Sequence, residues 1–122
     1  MSDIVSGMSG PVVESHLPLP QAQFHVLAAL AEGELHGYAI MQLVEETSDG
    51  VVRMGPATLY GTLKRLVDAG LAEESDRRPV DDDQRRRYYR LTGLGRQVCM
   101  AEADRLEALA RRTQHHLRPG MA

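Results

Sequence analysis

The sequence contains few of the residues that build large aromatic cores, covalent cross-links or membrane spans. It has no tryptophan and one phenylalanine, so the core must consist mainly of Leu, Val, Ala and Met. Its single cysteine excludes an internal disulfide framework and indicates a reducing compartment. No apolar run reaches the ~18 residues of a membrane span, and the N-terminus lacks the basic and apolar regions of a signal peptide. We therefore expect a cytoplasmic protein without a membrane partner.

The chain length indicates the number of domains, and the distribution of charge indicates a possible binding partner. The chain has 122 residues, of which 43% are hydrophobic, so it fits one compact domain with a modest core. Residues 1–52 hold seven acidic residues and no Lys or Arg, whereas residues 53–96 hold ten basic and seven acidic residues. The formal net charge of -3 therefore conceals a basic central segment. Such a segment can bind a phosphate backbone, although a solvated face with incidental arginines has the same composition.

Residues 55–70 have the pattern of a short amphipathic helix. Pro56 suits the first helical position, because a missing N–H is tolerated there, and Gly70 suits a left-handed C-cap. An apolar side is formed between them by Leu59, Leu63 and Leu66, at i, i+4 and i+7.

The opposite side of this helix is small, hydroxylated and cationic. A glycine inside an exposed helix costs ~1 kcal/mol relative to alanine, so we interpret Gly61 as a position where a large partner approaches the backbone. A nucleic-acid groove is such a partner. The residues of this helix that we expect to meet DNA are Thr58, Tyr60, Gly61, Lys64 and Arg65.

The stretch after this helix predicts a two-stranded wing, with strands at 71–75 and 85–91 and a polar turn at 76–84. Tyr89 and Leu91 would share one face of the second strand. The other face would hold Arg86, Tyr88 and Arg90, and cations interleaved with an aromatic ring suit a phosphate backbone. Residues 51–54 are predicted as a short extended link that could pair with these strands.

Two further helices are predicted before the link. The first has Phe24, Leu27, Ala28 and Ala31 on one side and Gly33 as its stop signal. The second follows His36-Gly37-Tyr38, buries Ile40, Leu43 and Val44, and ends at Asp49-Gly50. Residues 1–16 are rich in Gly, Ser and Pro and are predicted to be a flexible arm, which is either disordered or a minor clasp on the domain.

The order and spacing of these motifs resemble the PadR family of winged-helix transcriptional repressors over residues 20–118. The matching motifs are His36-Gly37-Tyr38, Thr58-Leu59-Tyr60, Leu63-Lys64-Arg65-Leu66, Gly70-Leu71, Arg87-Tyr88-Tyr89-Arg90-Leu91-Thr92 and Gly95-Arg96. One difference is Gly55-Pro56-Ala57, where family members often carry a serine and a glycine nearer the threonine. The resemblance implies a recognition helix in the major groove of operator DNA. It also implies effectors such as phenolic acids and other flat hydrophobic compounds.

The last predicted helix runs from about Gly93 to Leu117 and can be capped by Thr92. At ~1.5 Å per residue it would extend nearly ~37 Å, beyond one face of so small a domain. A heptad seam, which we interpret as a two-fold dimer interface, is formed by Cys99, Ala103, Leu106, Ala110, Thr113 and Leu117. A neighbouring stripe, which we expect to pack on the domain, is formed by Leu94, Val98, Ala101 and Leu109. A single amphipathic helix folded back on its own domain is the alternative.

Catalytic and metal sites have little support. Cys99 lies more than ~4 turns from His115 and His116 in the same helix, so it cannot form a dyad with them and is expected to be a small core residue. Asp104 and the two histidines could form a metal site between subunits, but no clustered Cys or His spacing supports one. His25 and His36 are more easily explained as structural histidines. We expect no enzyme activity, cofactor or metal.

Together these patterns predict a mainly α protein with a small β-hairpin: a winged helix-turn-helix with a long C-terminal dimerisation helix. The regions would be a flexible arm at 1–16, the DNA-binding domain at 17–92, and the dimerisation helix and tail at 93–122. We expect a homodimeric repressor of a pseudo-palindromic operator in double-stranded DNA. From the wing, phosphates or the minor groove would be engaged by Arg85, Arg86, Arg87 and Arg90.

A small aromatic or hydrophobic effector would release this repressor from DNA. The residues predicted to line its pocket are Phe24, Leu27, Tyr38, Leu106, Leu109 and Leu117. Two other functions stay open at this point. One is a winged-helix protein-interaction module that works through the acidic first 52 residues, and the other is a metal-sensing winged-helix repressor.

Overall fold

The structure is a computed structural model that describes residues 10–76 and 85–119. The main elements of this part of the chain are, in order, α1 (Gln21–Leu30), β1 (Leu35–His36), α2 (Gly37–Thr47), α3 (Pro56–Asp68), β2 (Ala72–Ser75), β3 (Tyr88–Leu91) and α4 (Gly93–Leu117). The helical elements predicted from the sequence are all present. None of the helices in the described ranges is both long and apolar enough to cross a membrane.

The three strands form one antiparallel sheet in the order β1-β3-β2. The wing hairpin is confirmed, with Glu74 opposite Tyr89 and Ala72 opposite Leu91. The third strand is β1, so the predicted pairing of residues 51–54 with the wing is wrong. The physical reason lies in Ser48, whose hydroxyl bonds both the N–H and the carbonyl of Val52 and so occupies the backbone groups that a strand would need. Of the predicted turn, residues 77–84 lie outside the described residues.

The core lies among α1, α2, α3 and the inner side of α4. The apolar side of α3 is as predicted, with Leu59, Leu63 and Leu66 no more than 2% exposed. The predicted side of α1 is only partly correct, because Leu27 is buried but Ala31 is exposed. Helix α1 contacts three other helices and is therefore buried on more than one side, by Val26, Leu27, Ala29 and Leu30.

The end of α3 confirms the predicted left-handed cap. Gly70 has a φ of 76°, its N–H donates to the Val67 carbonyl, and the Leu71 N–H donates to the Leu66 carbonyl at 2.9 Å. These are the two bonds of a Schellman motif, which satisfies carbonyls at the helix end. The motif turns the chain directly from α3 into β2 of the wing.

Helix α4 has the predicted bounds and the predicted cap. The Thr92 hydroxyl accepts a hydrogen bond from the Gly95 N–H at 2.9 Å and donates one to the Gly70 carbonyl at 2.6 Å. This residue thus joins the start of α4 to the end of α3. Every residue of α4 from 107 onward is exposed, so the second half of the helix extends away from its own domain.

Glu102 is a buried acid in the inner stripe of α4 that the apolar pattern did not predict. It is 1% exposed, accepts a hydrogen bond from the Leu19 N–H at 3.0 Å, and is held by Arg105 at 2.6 Å. The hydrogen bond from Arg105 and that from Leu19 lower the pKa of Glu102, although burial opposes them. The carboxylate therefore stays charged and ties α4 to the segment before α1.

The second half of the predicted N-terminal arm packs on the domain and so fits the clasp alternative. Residues 10–14 are helical, and Val13, which belongs to this segment, is 7% exposed and part of the core. Burial of an apolar side chain at this point holds the segment on the domain. Residues 1–9 lie outside the described part of the chain.

Candidate nucleic-acid interface

The outward side of α3 carries the predicted recognition residues. Thr58, Tyr60, Lys64 and Arg65 are exposed, and Gly61 is partly exposed. Their placement follows from the buried leucines on the other side of the helix. Lys64 pairs with Asp68 at 3.2 Å, whereas no ion pair within the described ranges involves Arg65. The two cations therefore differ in how much of their charge is available to a partner.

Gly61 has no internal reason to be a glycine. A Cβ at this position would meet only the end of the Arg65 side chain, at 3.8 Å. This distance is an ordinary contact, so packing within the described chain does not exclude a larger residue. The close approach of a partner to the helix backbone stays a prediction, and the open space around Gly61 is compatible with it.

Tyr60 bridges α3 and the start of α2. A Cβ on Gly37 would overlap the Tyr60 hydroxyl, so the glycine of the His36-Gly37-Tyr38 motif is required by this contact. Tyr60 still exposes 49% of its surface. The end of the ring therefore lies against Gly37, while about half of the residue faces outward.

His36 is a structural histidine, as expected. Its Nδ1 accepts a hydrogen bond from the Ala39 N–H at 3.3 Å and so caps α2. Its Nε2 lies 3.4 Å from Arg86 Nη1, and its ring meets Tyr88 edge to face, with centroids 5.3 Å apart. A neutral imidazole has one acceptor nitrogen, so the Ala39 N–H and the Arg86 guanidinium compete for it.

The arginines before β3 are on the surface. Arg85, Arg86 and Arg87 are exposed and lie ahead of the strand, which begins at Tyr88. The predicted outward position of Tyr88 beside them is wrong, because the ring is 8% exposed and packs against His36. Arg87 also lies 3.7 Å from Glu74.

Arg90, the fourth predicted wing cation, is bound by acids of its own chain. Its Nε donates to Glu73 at 2.8 Å, and its Nη1 lies 3.8 Å from Glu34. The hydrogen bond to Glu73 raises the pKa of this guanidinium. Arg90 thus links β3 to β2 and to the segment before β1, while its contact with DNA stays a prediction.

A cleft lies between α3 and the wing. Its wall contains Tyr60 from α3, Tyr38 from α2, Tyr89 from β3 and the arginines at 85–87. The sequence pattern did not predict this arrangement, because its members come from three separate stretches of the chain: residues 36–38, residue 60 and residues 85–89. The one signal in the sequence was its small number of aromatic residues. Three of its five Phe and Tyr residues line this cleft.

The predicted effector pocket is not assembled within one chain. Leu27 is fully buried in the core, whereas Leu109 and Leu117 are 54% and 73% exposed on the outer half of α4. Tyr38 is 58% exposed and lies in the cleft beside the wing. Phe24 packs against the core and Leu106 is half-buried. Within one chain these positions differ in burial and location, and the effector pocket stays a prediction.

The two stripes of α4 are partly as predicted. Leu94, Val98 and Ala101 pack on the core, but Leu109 does not, because the helix has left the domain by that residue. Of the predicted dimer seam, Cys99 packs against the core, and burial raises the pKa of its thiol. The other seam residues become more exposed along the helix: Ala103 and Leu106 are half-buried, and Ala110, Thr113 and Leu117 are exposed.

Residues 10–76 and 85–119 contain no group of three or more His, Cys, Asp or Glu side chains that could hold a metal ion. The rings of His115 and His116 lie 5.3 Å apart near the end of α4. Imidazoles at this position can interact with the negative end of the helix dipole when protonated.

Comparison with known proteins gives a consistent result. Residues 26–101 match the model of the Transcriptional regulator PadR-like family. The chain is 39% identical over 89 residues to the transcriptional regulator Rv3488 of Mycobacterium tuberculosis. This match covers 73% of this chain and 78% of Rv3488. It is 42% identical over 91 residues to an uncharacterized 37.1 kDa protein in transposon TN4556 of Streptomyces fradiae. That match covers 75% of this chain but 24% of the longer protein, so the chain spans about a quarter of that relative.

Solved structures share the fold. A PadR family transcription regulator from Clostridium difficile has a TM-score of 0.66 at 17% identity, covering 81% of this chain and 100% of that one. Bacillus subtilis PadR, solved in complex with operator DNA, has a TM-score of 0.57 at 26% identity, covering 73% and 48%. Bordetella bronchiseptica BpsR, whose DNA binding is regulated by 6-hydroxynicotinic acid, has a TM-score of 0.65 at 23% identity, covering 94% and 78%. The winged helix, its motifs and these matches show that the chain belongs to the PadR-like family of transcriptional regulators.

Proposed function

We propose that this protein is a repressor that binds double-stranded operator DNA through α3 and the arginines before β3. Helix α3 would lie in the major groove, while Arg85, Arg86 and Arg87 would engage the adjacent phosphates. The observation that supports this proposal is the cleft lined by both Tyr60 of α3 and these arginines, because residues of the helix and of the wing then border one surface. Bacillus subtilis PadR, a structure of the same fold, was solved with operator DNA.

Within α3, Arg65 is the stronger candidate for a direct contact. It is exposed, and the described part of the chain offers it no acidic partner, whereas Asp68 holds Lys64 at 3.2 Å. An arginine fork can bind a guanine edge or a phosphate with two hydrogen bonds. Gly61 lies one turn away and would let the groove wall approach the helix.

The repressor would act as a two-fold dimer. The support is the second half of α4, which is exposed from residue 107 onward and includes Leu109 and Leu117. A second copy of the same helix would cover these side chains. Two reading heads held ~34–36 Å apart would then match two half-sites of a pseudo-palindromic operator.

A small aromatic or hydrophobic effector would control this binding. The support is the regulation of BpsR by 6-hydroxynicotinic acid. A coupling free energy of ~1–3 kcal/mol between effector and DNA is sufficient for release.

Selection of bound fragments from genomic DNA, followed by footprinting, tests the proposal. We expect a short pseudo-palindromic site with two protected half-sites. The Arg65→Ala variant should bind this site more weakly, whereas Arg112→Ala, which removes an exposed charge on the outer half of α4, should not. Failure to enrich any DNA at low salt would reject the proposal and favour the protein-interaction module.

A further inference from the structure

Tyr38 is an exposed tyrosine at the start of α2 that the predicted DNA contacts do not include. It is the second residue of that helix, and 58% of its surface is exposed. Its hydroxyl makes no hydrogen bond to the described part of the chain, residues 10–76 and 85–119. The other residues of the first turn are less exposed: Gly37 and Ile40 are buried and Ala39 is half-buried. Tyr38 is therefore the side chain that this turn presents to a partner.

The first turn of α2 lies directly against the outward side of α3. A Cβ on Gly37 would overlap the Tyr60 hydroxyl, so the start of one helix touches a residue that the other helix offers to DNA. In a helix-turn-helix, the second helix enters the major groove while the first crosses the DNA backbone. Here α2 and α3 are these two helices. If α3 lies in the groove, the start of α2 is therefore beside a row of phosphates.

The charges along α2 indicate which part of the helix can approach that row. Its first turn, residues 37–40, contains no acidic residue, whereas Glu45, Glu46 and Asp49 lie at or just beyond its other end. Arg53 lies 3.6 Å from Glu45 and offsets one of these charges. The remaining acids would repel a DNA strand. A phosphate therefore suits the start of α2 and not its end.

We infer that the Tyr38 hydroxyl donates a hydrogen bond to a phosphate of the operator and so positions α3 in the groove without reading a base. Tyrosine hydroxyls are among the side-chain groups that contact DNA phosphates, and such contacts set the register of a protein on the duplex. The inference rests on the proposed function, because it adds one contact to the same operator complex.

The test compares the full-length wild type with Tyr38→Phe, which removes the hydroxyl and keeps the ring. We expect the variant to bind the selected operator about tenfold more weakly, because it loses a hydrogen bond to a charged group. A phosphate contact carries no sequence information, so affinity for unrelated DNA of the same length should fall by about the same factor. The hydroxyl is uncharged, so the slope of log affinity against log salt concentration should not change.

Thr47→Val is the matched control at the other end of α2. The Thr47 hydroxyl donates to the Leu43 carbonyl at 2.8 Å, and the residue is exposed near the acidic end of the helix. Its removal takes away one hydroxyl from the same helix and should leave operator affinity unchanged. A loss in Thr47→Val equal to that in Tyr38→Phe would show a general effect on α2 and overturn the contact.

A second measurement locates the phosphate. Each phosphate of one half-site is replaced in turn by a neutral methylphosphonate, and the affinity of both proteins is measured. At one position the wild type should lose affinity while Tyr38→Phe loses little more, because the two changes remove the same interaction and are not additive. Additive losses at every position would contradict the contact.

The outcomes separate this inference from the proposed function. Wild-type affinity in Tyr38→Phe, together with weaker binding by Arg65→Ala, would reject the Tyr38 contact and leave the proposed function intact. A loss confined to the operator, with unrelated DNA bound as before, would identify a base contact and overturn a phosphate contact. A wild-type protein that binds no DNA at low salt would reject both.

Discussion

Gly95 is the residue at which α4 comes closest to the end of α3. A Cβ at this position would overlap the carbonyl group of Leu71, which is backbone and cannot rotate away. The Thr92 hydroxyl beside it bonds both the Gly95 N–H and the Gly70 carbonyl. The joint between the winged domain and α4 therefore depends on the absence of one side chain.

We predict that Gly95→Ala lowers the free energy of unfolding by ~1–3 kcal/mol, because the new methyl group forces α4 away from Leu71. Gly93→Ala is the matched control, since a Cβ at the first residue of the same helix would meet nothing within 4 Å. Chemical denaturation of both variants measures the difference. Equal stability of the two would show that α4 does not dock as closely as the structure has it.

Glu102 predicts a dependence of stability on pH. Its folded pKa is lowered, chiefly by the hydrogen bond from Arg105, so its contribution is fully present above the unfolded value of ~4.3. The contribution is lost as the pH falls from there through the folded pKa. We expect Glu102→Gln to be ~1–3 kcal/mol less stable near neutral pH and to approach the wild type below about pH 4.

The control for this prediction is Glu107→Gln. Glu107 pairs with Arg111 at 3.3 Å on the exposed half of α4, where both side chains are well solvated. Exposed pairs contribute little, so the variant should stay within about 0.5 kcal/mol of the wild type at every pH. Denaturation midpoints between pH 3 and 8 give both curves, and parallel curves for the two variants would contradict the role of Glu102.

At the scale of the element, α3 is anchored by its leucines on one side and offers its cations on the other. The i,i+4 pair between Lys64 and Asp68 divides these cations into one that is partly neutralised and one that is not. Such surface pairs are weak, so they adjust the charge that DNA meets without determining the fold.

We predict that Lys64→Ala and Arg65→Ala both lower operator affinity, with the larger effect for Arg65. A residue that only touches phosphate should also reduce the salt slope by about one unit, whereas a base contact should relax specificity by ~1–3 kcal/mol. Asp68→Asn removes the partner of Lys64 and should increase affinity at low salt. Fluorescence anisotropy across a salt titration measures all three, and unchanged affinity in both alanine variants would remove α3 from the groove.

At the scale of the whole molecule, α4 has two halves with different surroundings. Its first half contributes Val98 and Glu102 to the interior, and its second half is exposed from residue 107 onward. The parent domain therefore does not need the second half for its own core. A role in assembly, as proposed above, would give that half a function.

We predict that deletion of residues 107–122 leaves a folded monomer that has lost cooperative operator binding. Linked half-sites gain ~10²–10⁴ in avidity, so most of that factor should disappear, while affinity for an isolated half-site should stay. Sedimentation at micromolar concentration measures the oligomeric state of the full-length and the truncated protein. A full-length monomer that binds the operator tightly, or a truncated protein that still forms the dimer, would contradict the two-fold model.

Local chemistry in the sequence was enough to determine several features. Pro56 and Gly70 marked the ends of α3, and Thr92 marked the start of α4, because caps depend on residues a few positions apart. The leucine spacing of α3 identified its buried side for the same reason. The bounds of the helices and the family motifs are accordingly the most reliable part of the sequence prediction.

Only the tertiary structure decided which distant groups meet. Arg90 became a partner of Glu73 and Glu34, and Glu102 entered the core because Leu19 and Arg105 satisfy it. The tertiary structure also brings three tyrosines into one cleft and leaves Leu109 exposed. Periodicity reports which side of a helix is apolar, but burial depends on where neighbouring elements begin and end, and those contacts join residues far apart in the chain.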